Sequence, residues 1–331
     1  MLKKIKVSYK ILLMICAVAL PLVAWTIFAT VNGTTKDINL TRQEMKGIAF
    51  QRPLQALLVT LPQHKWLAQA AARGDVAART TVLEKEVEID QAFADLEAAN
   101  LKYGADLLFT DAELAKRKRQ GNDPRSVKSA WQELKQTQST LSPADLTEQH
   151  RKLITAVRTM ITHAGDSSRL TLDPDLDSHY LVDATLVTLP RTLDRLGVIT
   201  GYGTDLLRGE KDKIQPKELA QLVAYAALLQ QGDVDRLNAD VEIALNEDSG
   251  FYGLSDSLQR NLTAPLQAYD ASCQDLIGLL QKAAADPSSV TAEAFQTAGR
   301  QARSAALDLW KTSAGELETL LATRVVAKSK T

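Results

Sequence analysis

The sequence predicts an all-α fold: long antiparallel helices forming two four-helix-bundle modules, tandem or stacked, behind an N-terminal transmembrane helix. Three observations lead there. Apolar residues recur at steps of three and four along most of the chain, and no alternating strand pattern occurs. Alanine and leucine dominate while aromatics are only 5%, a balance that suits helix bundles better than sheets. The string Leu58-Val59-Thr60-Leu61-Pro62 returns letter for letter as Leu186-Val187-Thr188-Leu189-Pro190, an offset of 186 − 58 = 128 residues. That is too long for a solenoid period and suits one four-helix unit built twice. Ala164-Gly165-Asp166 before Leu170 echoes Ala314-Gly315-Glu316 before Leu320, near the end of each half.

Composition narrows the function classes. With 39 basic against 40 acidic residues in a chain of 331, charge is balanced and nothing points to nucleic acid. Cys16 and Cys273 are the only cysteines. With Cys16 in a membrane no intramolecular disulfide forms, and Cys273 reads as a small buried apolar residue.

The elements follow in order. Residues Ile11 to Thr30 carry no charge over twenty positions, enough to cross a hydrocarbon core of about 30 Å at about 1.5 Å per residue. Lys3, Lys4, Lys6 and Lys10 precede them, so this flank stays cytoplasmic and the chain beyond Val31 is exported, with Tyr9 and Trp25 as interface anchors. A cleaved signal peptide is the alternative, but the apolar core is long for one and no small-x-small site follows. Pro21 should kink the span. The expected layout is a basic tail at 1–10, a span at 11–30, one helical module at 31–170 and a second at 171–331.

From Thr34 to Ala72 a helix continues outward on a stripe of Gly47, Phe50, Leu54, Leu57, Leu61, His64 and Ala68, with bends expected at Pro53 and Pro62. Gly74-Asp75 ends it and caps the next helix, whose stripe is Ile89, Phe93, Leu96, Asn100, Tyr103 and Leu107. The basic run Lys116 to Arg119 suits a last helical turn. Asp123-Pro124 restarts a helix containing Trp131, and Ser142-Pro143 starts another on Leu146, His150, Leu153, Val157, Met160 and Ala164.

The second half opens with Asp173-Pro174-Asp175-Leu176-Asp177. Asp173 as a cap, Pro174 in the first turn and two more carboxylates at the positive end of the dipole make a helix start. Three alternate aspartates also resemble the beginning of a calcium loop, but the required glycine and distal glutamate do not follow. The stripe is Val182, Leu186, Leu189, Leu193, Leu196 and Thr200, with Gly197, Gly201 and Gly203 expected to loosen its far end. A loop at 209–216 precedes a helix through Leu222, Ala226, Leu229, Leu237 and Val241, with Gly232-Asp233 as a possible break. Leu258, Leu262, Leu266, Tyr269, Cys273, Leu276 and Leu280 form the cleanest seam. A final alanine-rich helix reaches Leu320 and Leu321. Eight antiparallel helices return this last one to the level of the first, beside the membrane.

Three strings carry a family resemblance. Glu44 to Leu54 (EMKGIAFQRPL), Gln63-His64-Lys65-Trp66-Leu67 and Asp173 to Leu181 (DPDLDSHYL) resemble, in order, segments of the exported sensor region of bacterial transmembrane chemoreceptors, the methyl-accepting chemotaxis proteins, and of related sensor histidine kinases. The resemblance implies a periplasmic sensor domain anchored in the inner membrane and signal transduction by helix displacement. Its expected partners are a small-molecule ligand, such as an organic acid or other anion, or a periplasmic binding protein, together with the membrane and a second copy of the chain. Lys65-Trp66 replaces the family's Arg-Gly pair, so a nitrate ligand is not carried over. Relatives continue into a second span, a HAMP linker and a cytoplasmic coiled coil, so the chain reads as a sensor fragment or a truncated receptor. The competing class is a membrane-tethered scaffold or adaptor that binds a periplasmic protein.

Polar residues on apolar seams are the ligand-site candidates. His64 and His150 should face one membrane-distal layer, with Asn100 lower; satisfied core hydrogen bonds or helix register are the plainer roles. Arg52, Arg191 and Arg195 are suited to a carboxylate or phosphate by their bidentate fork; for Arg191 and Arg195, which share a face, the plainer role is a solvated edge paired with Asp194 or with a neighbouring helix. No close His or Cys spacing indicates a metal, and no motif indicates a cofactor. No nucleophile–base set or phosphate loop indicates an enzyme.

Overall fold

Helix α1 (Val7–Ala72) is 66 residues long and runs as one helix through Pro21, Pro53 and Pro62, the three positions where the sequence predicts a kink or bend. The computed structural model describes residues 7–330. Lys3, Lys4 and Lys6 of the basic flank, and the side chains of Tyr9 and Lys10, lie outside the described residues. Among those described, α1 is the one helix long and apolar enough to cross a membrane, and its most apolar window is not buried against the chain. Val18, Leu20, Leu22, Trp25 and Phe28 all face outward, as a lipid-facing segment requires. Beyond it the same helix enters the core. Phe50, Leu54, Leu57, Leu61 and His64 have no accessible surface at all.

Gly74, at φ +97°, turns the chain, and Asp75 caps α2 (Val76–Tyr103) by accepting from the Ala78 N–H at 3.1 Å. The stripe of α2 was expected to run on through Leu107, but the helix stops at Tyr103. Leu108 takes φ 58°, which swings Phe109 onto Phe50 with ring centroids 4.5 Å apart. Stacking on the core outweighs continued helix there. The basic run then closes a six-residue helix, α3 (Asp111–Lys116), rather than α2. Helices α4 (Pro124–Thr137) and α5 (Pro143–Ser168) start at Asp123 and Ser142, whose side chains accept from the third residue on.

The second half differs from its helix-start reading. Helix α6 (Leu176–Asp183) begins two residues late, with Asp175 as a cap whose side chain makes no capping bond. Asp173 still accepts from the Asp175 N–H at 3.1 Å, and a buried arginine shares those carboxylates, as described below. A widened π turn over 184–188 leads into α7 (Leu189–Arg208). In π register the carbonyl that Pro190 fails to serve is that of Thr185, and the Trp310 indole N–H donates to it at 2.9 Å. The first copy of the pentapeptide has no such donor and stays in regular helix, so one string gives two backbone geometries.

The glycines of α7 do not loosen it. A Cβ on Gly201 would stand 2.3 Å from Trp66, and one on Gly203 would stand 2.2 Å from Phe295. They admit aromatic rings from α1 and from α11 (Ala292–Ser329). Helices α8 (Pro216–Leu229) and α9 (Asp235–Glu247) are joined by a second π turn at 230–234, where the sequence placed a break. Helix α10 (Leu258–Ala285) buries Tyr269 and Cys273 on its seam.

Helix α1 packs on α2 and α5, with α4 between those two; α11 packs on α7 and α10; α8 lies on α10, and α9 on α6. The two halves meet side by side where α1 runs antiparallel to α11. Contacts of Glu44 with Arg324, Arg52 with Glu318 and Val59 with Arg303 mark that register. One continuous apolar core spans both halves. No strand occurs among the described residues.

Candidate functional site

Three polar layers interrupt the apolar core. The first unites two residues selected from sequence. His64 on α1 and His150 on α5 are both fully buried, with Nδ1 of His64 2.8 Å from Nε2 of His150. The His150 Nδ1 lies 2.7 Å from the Leu146 carbonyl, which only accepts, so that nitrogen carries a proton. His150 Nε2 is then the acceptor and His64 Nδ1–H the donor. His64 Nε2 is left without a hydrogen bond, 3.6 Å from the Glu86 carboxylate of α2. Burial holds His64 down to about 3 and His150 to about 4, so both rings are neutral. From α4, Trp131 sets its ring against His64 at 4.9 Å and donates to Asp90 at 2.7 Å. All four long helices of the first half therefore meet in this layer.

The second layer accounts for Arg191 and Arg195. Asp233, fully buried in the second π turn, accepts from Arg195 at 2.6 Å and lies 3.7 Å from Arg191. Arg195 also donates to the Leu228 carbonyl at 3.0 Å, and Arg191 to the Gly232 carbonyl at 2.9 Å. The two guanidinium groups clamp the widened turn and its acid, not Asp194, which pairs with Arg158 at 3.0 Å. The Arg195 fork is occupied by the chain itself, while Arg191 keeps a buried Nε without a hydrogen bond.

The third layer lies where α1 and α11 leave the core, and the sequence reading assigned it no site. Arg324 of α11 is 3% exposed. It pairs with Asp173 at 2.8 Å, Asp175 at 2.6 Å and Glu44 of α1 at 3.2 Å, and donates to Ser178. One buried cation thus faces three carboxylates. Burial, reinforced by Asp173, pushes Glu44 up to about 7, because a third negative charge here is poorly compensated. The Tyr252 ring covers the guanidinium at 5.9 Å. Just outside, Lys328 meets Asp37 at 2.8 Å, so α11 ends alongside the residues that follow the apolar stretch. A signal was present: Arg324 falls on the stripe of Leu317, Leu320 and Leu321, a charge on a core face.

The remaining candidates lie apart. Asn100 is fourteen residues beyond Glu86 on α2, on the order of 20 Å from the histidine layer, with its side-chain oxygen unpartnered. Arg52 is exposed and paired with Glu318. An open groove of about 590 Å³ runs between α10 and α11 past Gln274, Lys282, Glu293 and Gln301, and none of the six candidates lines it. Among the described residues no group of three His, Cys, Asp or Glu side chains is placed to hold a metal ion.

Comparison with protein families, with curated proteins and with solved structures gives no match. Fold and site together define a helical protein with one candidate membrane span and a core tied by buried polar layers.

Proposed function

We propose that this chain is the extracytoplasmic sensing region of a transmembrane signalling receptor of the chemoreceptor or sensor-kinase type. In this reading the two halves act as four-helix modules, a small molecule binds between helices on the periplasmic side, and the chain performs no catalysis. Binding shifts α1 against α11, and α1 passes that shift through the inner membrane, within a homodimer. The observation that carries the reading is the continuity of α1, which runs from an unburied apolar stretch into the centre of the core and is there tied to the end of α11 by Arg324 and Glu44. Packed helices have discrete arrangements, so a small displacement suffices. A thermal-shift screen of the full chain in detergent against organic acids, amino acids and inorganic anions tests it. A ligand at about 100 times its Kd adds about 2.7 kcal/mol to the native state, a readily seen shift. A flat screen across every class counts against direct sensing.

A second reading, a tethered scaffold for a periplasmic protein, is favoured by one observation. Val76, Leu83, Val87 and Leu101 lie exposed on α2 at 74%, 62%, 68% and 90%, spaced to share one face. Charge substitution at Leu83 and Val87 that abolishes capture of a periplasmic protein, with no small-molecule hit, would favour it.

A further inference from the structure

Buried charge is out of balance at both ends of α6. At its start one buried cation, Arg324, serves Glu44, Asp173 and Asp175. Asp177, 3% exposed, adds a fourth carboxyl there and accepts from the Ser178 N–H at 2.6 Å. At its end Asp183 accepts from Nη2 of Arg236 at 2.8 Å and from Nε at 3.1 Å. The buried Asp240 of α9 keeps an oxygen without a hydrogen bond, 3.9 Å from the same guanidinium. Buried carboxyls in excess of cations either take up protons or push one another apart, because an uncompensated charge is costly away from water.

At the Arg324 end, geometry singles out the group that takes the proton. Asp173 lies 2.8 Å from Arg324 and also accepts from the Asp175 N–H at 3.1 Å, while Asp175 lies 2.6 Å from the guanidinium. Glu44 stands farthest, at 3.2 Å, and it alone of the three belongs to α1. The charged groups facing it are Arg324 and Lys328 from α11 and Asp173 and Asp175 from the link before α6; Tyr252, in the loop after α9, lies over the guanidinium. Lys46, two residues on, is turned to Asp106 at 2.6 Å. An ionised Glu44 therefore meets two carboxylates across one guanidinium, and the repulsion drives α1 from the link and from α11. A protonated Glu44 removes that repulsion and leaves Arg324 to the two aspartates. Burial and Asp173 push the carboxyl up to about 7, so the exchange falls near neutral pH. The Asp37–Lys328 pair lies on the same two helices, seven residues nearer the membrane on α1, which is about 10 Å.

We propose that the Arg324 junction is a proton-binding site whose occupancy sets how α1 seats against α11: a proton on Glu44 closes the junction, and its loss loosens it. The proposal rests on the signalling reading for its output but not for a small-molecule ligand, so a flat ligand screen leaves it standing and a junction indifferent to pH leaves a ligand hit standing. The test is a distance measurement by double electron–electron resonance on the full chain in detergent, between nitroxide labels at Lys36→Cys and Ser329→Cys, with Cys16 and Cys273 replaced. Between about pH 5 and about pH 8 the separation should lengthen or broaden, with a midpoint at about 7. Glu44→Gln should hold the acid-form separation throughout. Asp175→Asn removes one of the carboxylates facing Glu44 and should move the midpoint to lower pH, where a merely structural part would leave it in place. This second variant decides the matter even if Glu44→Gln does not fold. A separation that ignores pH, a response undiminished in Glu44→Gln, which would put the proton on Asp240 or elsewhere, or a midpoint unmoved in Asp175→Asn would each overturn the proposal.

Discussion

Replacing Glu44 with glutamine isolates the electrostatic cost of the Arg324 junction. Glu44 is 3% exposed, and its carboxyl is pushed from 4.5 to about 7 by burial and by Asp173. A carboxyl whose pKa is higher folded than unfolded favours the native state when protonated, so its contribution is present at low pH and lost as pH rises through about 7. The rise corresponds to about 3 kcal/mol between the acid and alkaline limits. Glutamine keeps an oxygen for Arg324 and has no proton to lose, so the variant escapes that loss. With an unfolding entropy of about 2.1 cal/mol/K per residue over roughly 300 residues, 3 kcal/mol is about 5 °C in Tm. Melting followed by circular dichroism in detergent should place Glu44→Gln roughly 1 °C above the parent at about pH 5 and about 5 °C above it at about pH 8. A gap that stays constant or narrows toward alkaline pH would refute the reasoning.

Arg324→Met removes the one cation from among three buried carboxylates and should cost about 3–5 kcal/mol, seen as a large fall in Tm that acid partly restores. Trp310→Phe leaves the Thr185 carbonyl of the π turn without its donor, for a loss of about 1–3 kcal/mol measured by the same melt. Gly201→Ala places a Cβ 2.3 Å from Trp66, so Trp66 or α7 must shift, at about 1–3 kcal/mol. The His64 and His150 rings, held down to about 3 and 4, should show imidazole carbon resonances that stay fixed between about pH 5 and pH 8. Titration of either near neutrality would mean the layer is wet. Because both are lower than in the unfolded chain, their contribution is present above about pH 6.5 and lost as pH falls toward 4.

What the sequence revealed is what short range decides. Capping by Asp75, Asp123 and Ser142, and the stripes of α1, α5 and α10, follow from spacing within a few residues. Placing His64 and His150 in one layer needed only helix rise and antiparallel order. Where a distant partner overrides local preference, the reading went astray. Asp173 and Asp175 look like caps alone, and Asp173 does accept from the Asp175 N–H, but Arg324, about 150 residues later, binds both carboxylates. Arg191 and Arg195 look like an anion fork until a π turn brings Asp233 beneath them. The α7 glycines look like weak points until Trp66 and Phe295 arrive from other helices. Helix α2 ends early because Phe109 gains a stacking partner in Phe50. In each case the deciding energy lies in tertiary contact between segments that no local window holds together.

The most direct test of the sensing account is whether a bound small molecule moves α11 against α1 at their exit from the core. Cysteines at Asp37 and Lys328, whose side chains meet at 2.8 Å, can be introduced with Cys16 and Cys273 replaced. Their rate of disulfide formation in membranes is then followed with and without each ligand found by thermal shift. The account predicts that a stabilising ligand changes this rate severalfold, while a pair placed within α11 is unaffected. A ligand that binds tightly and leaves the rate unchanged would contradict it.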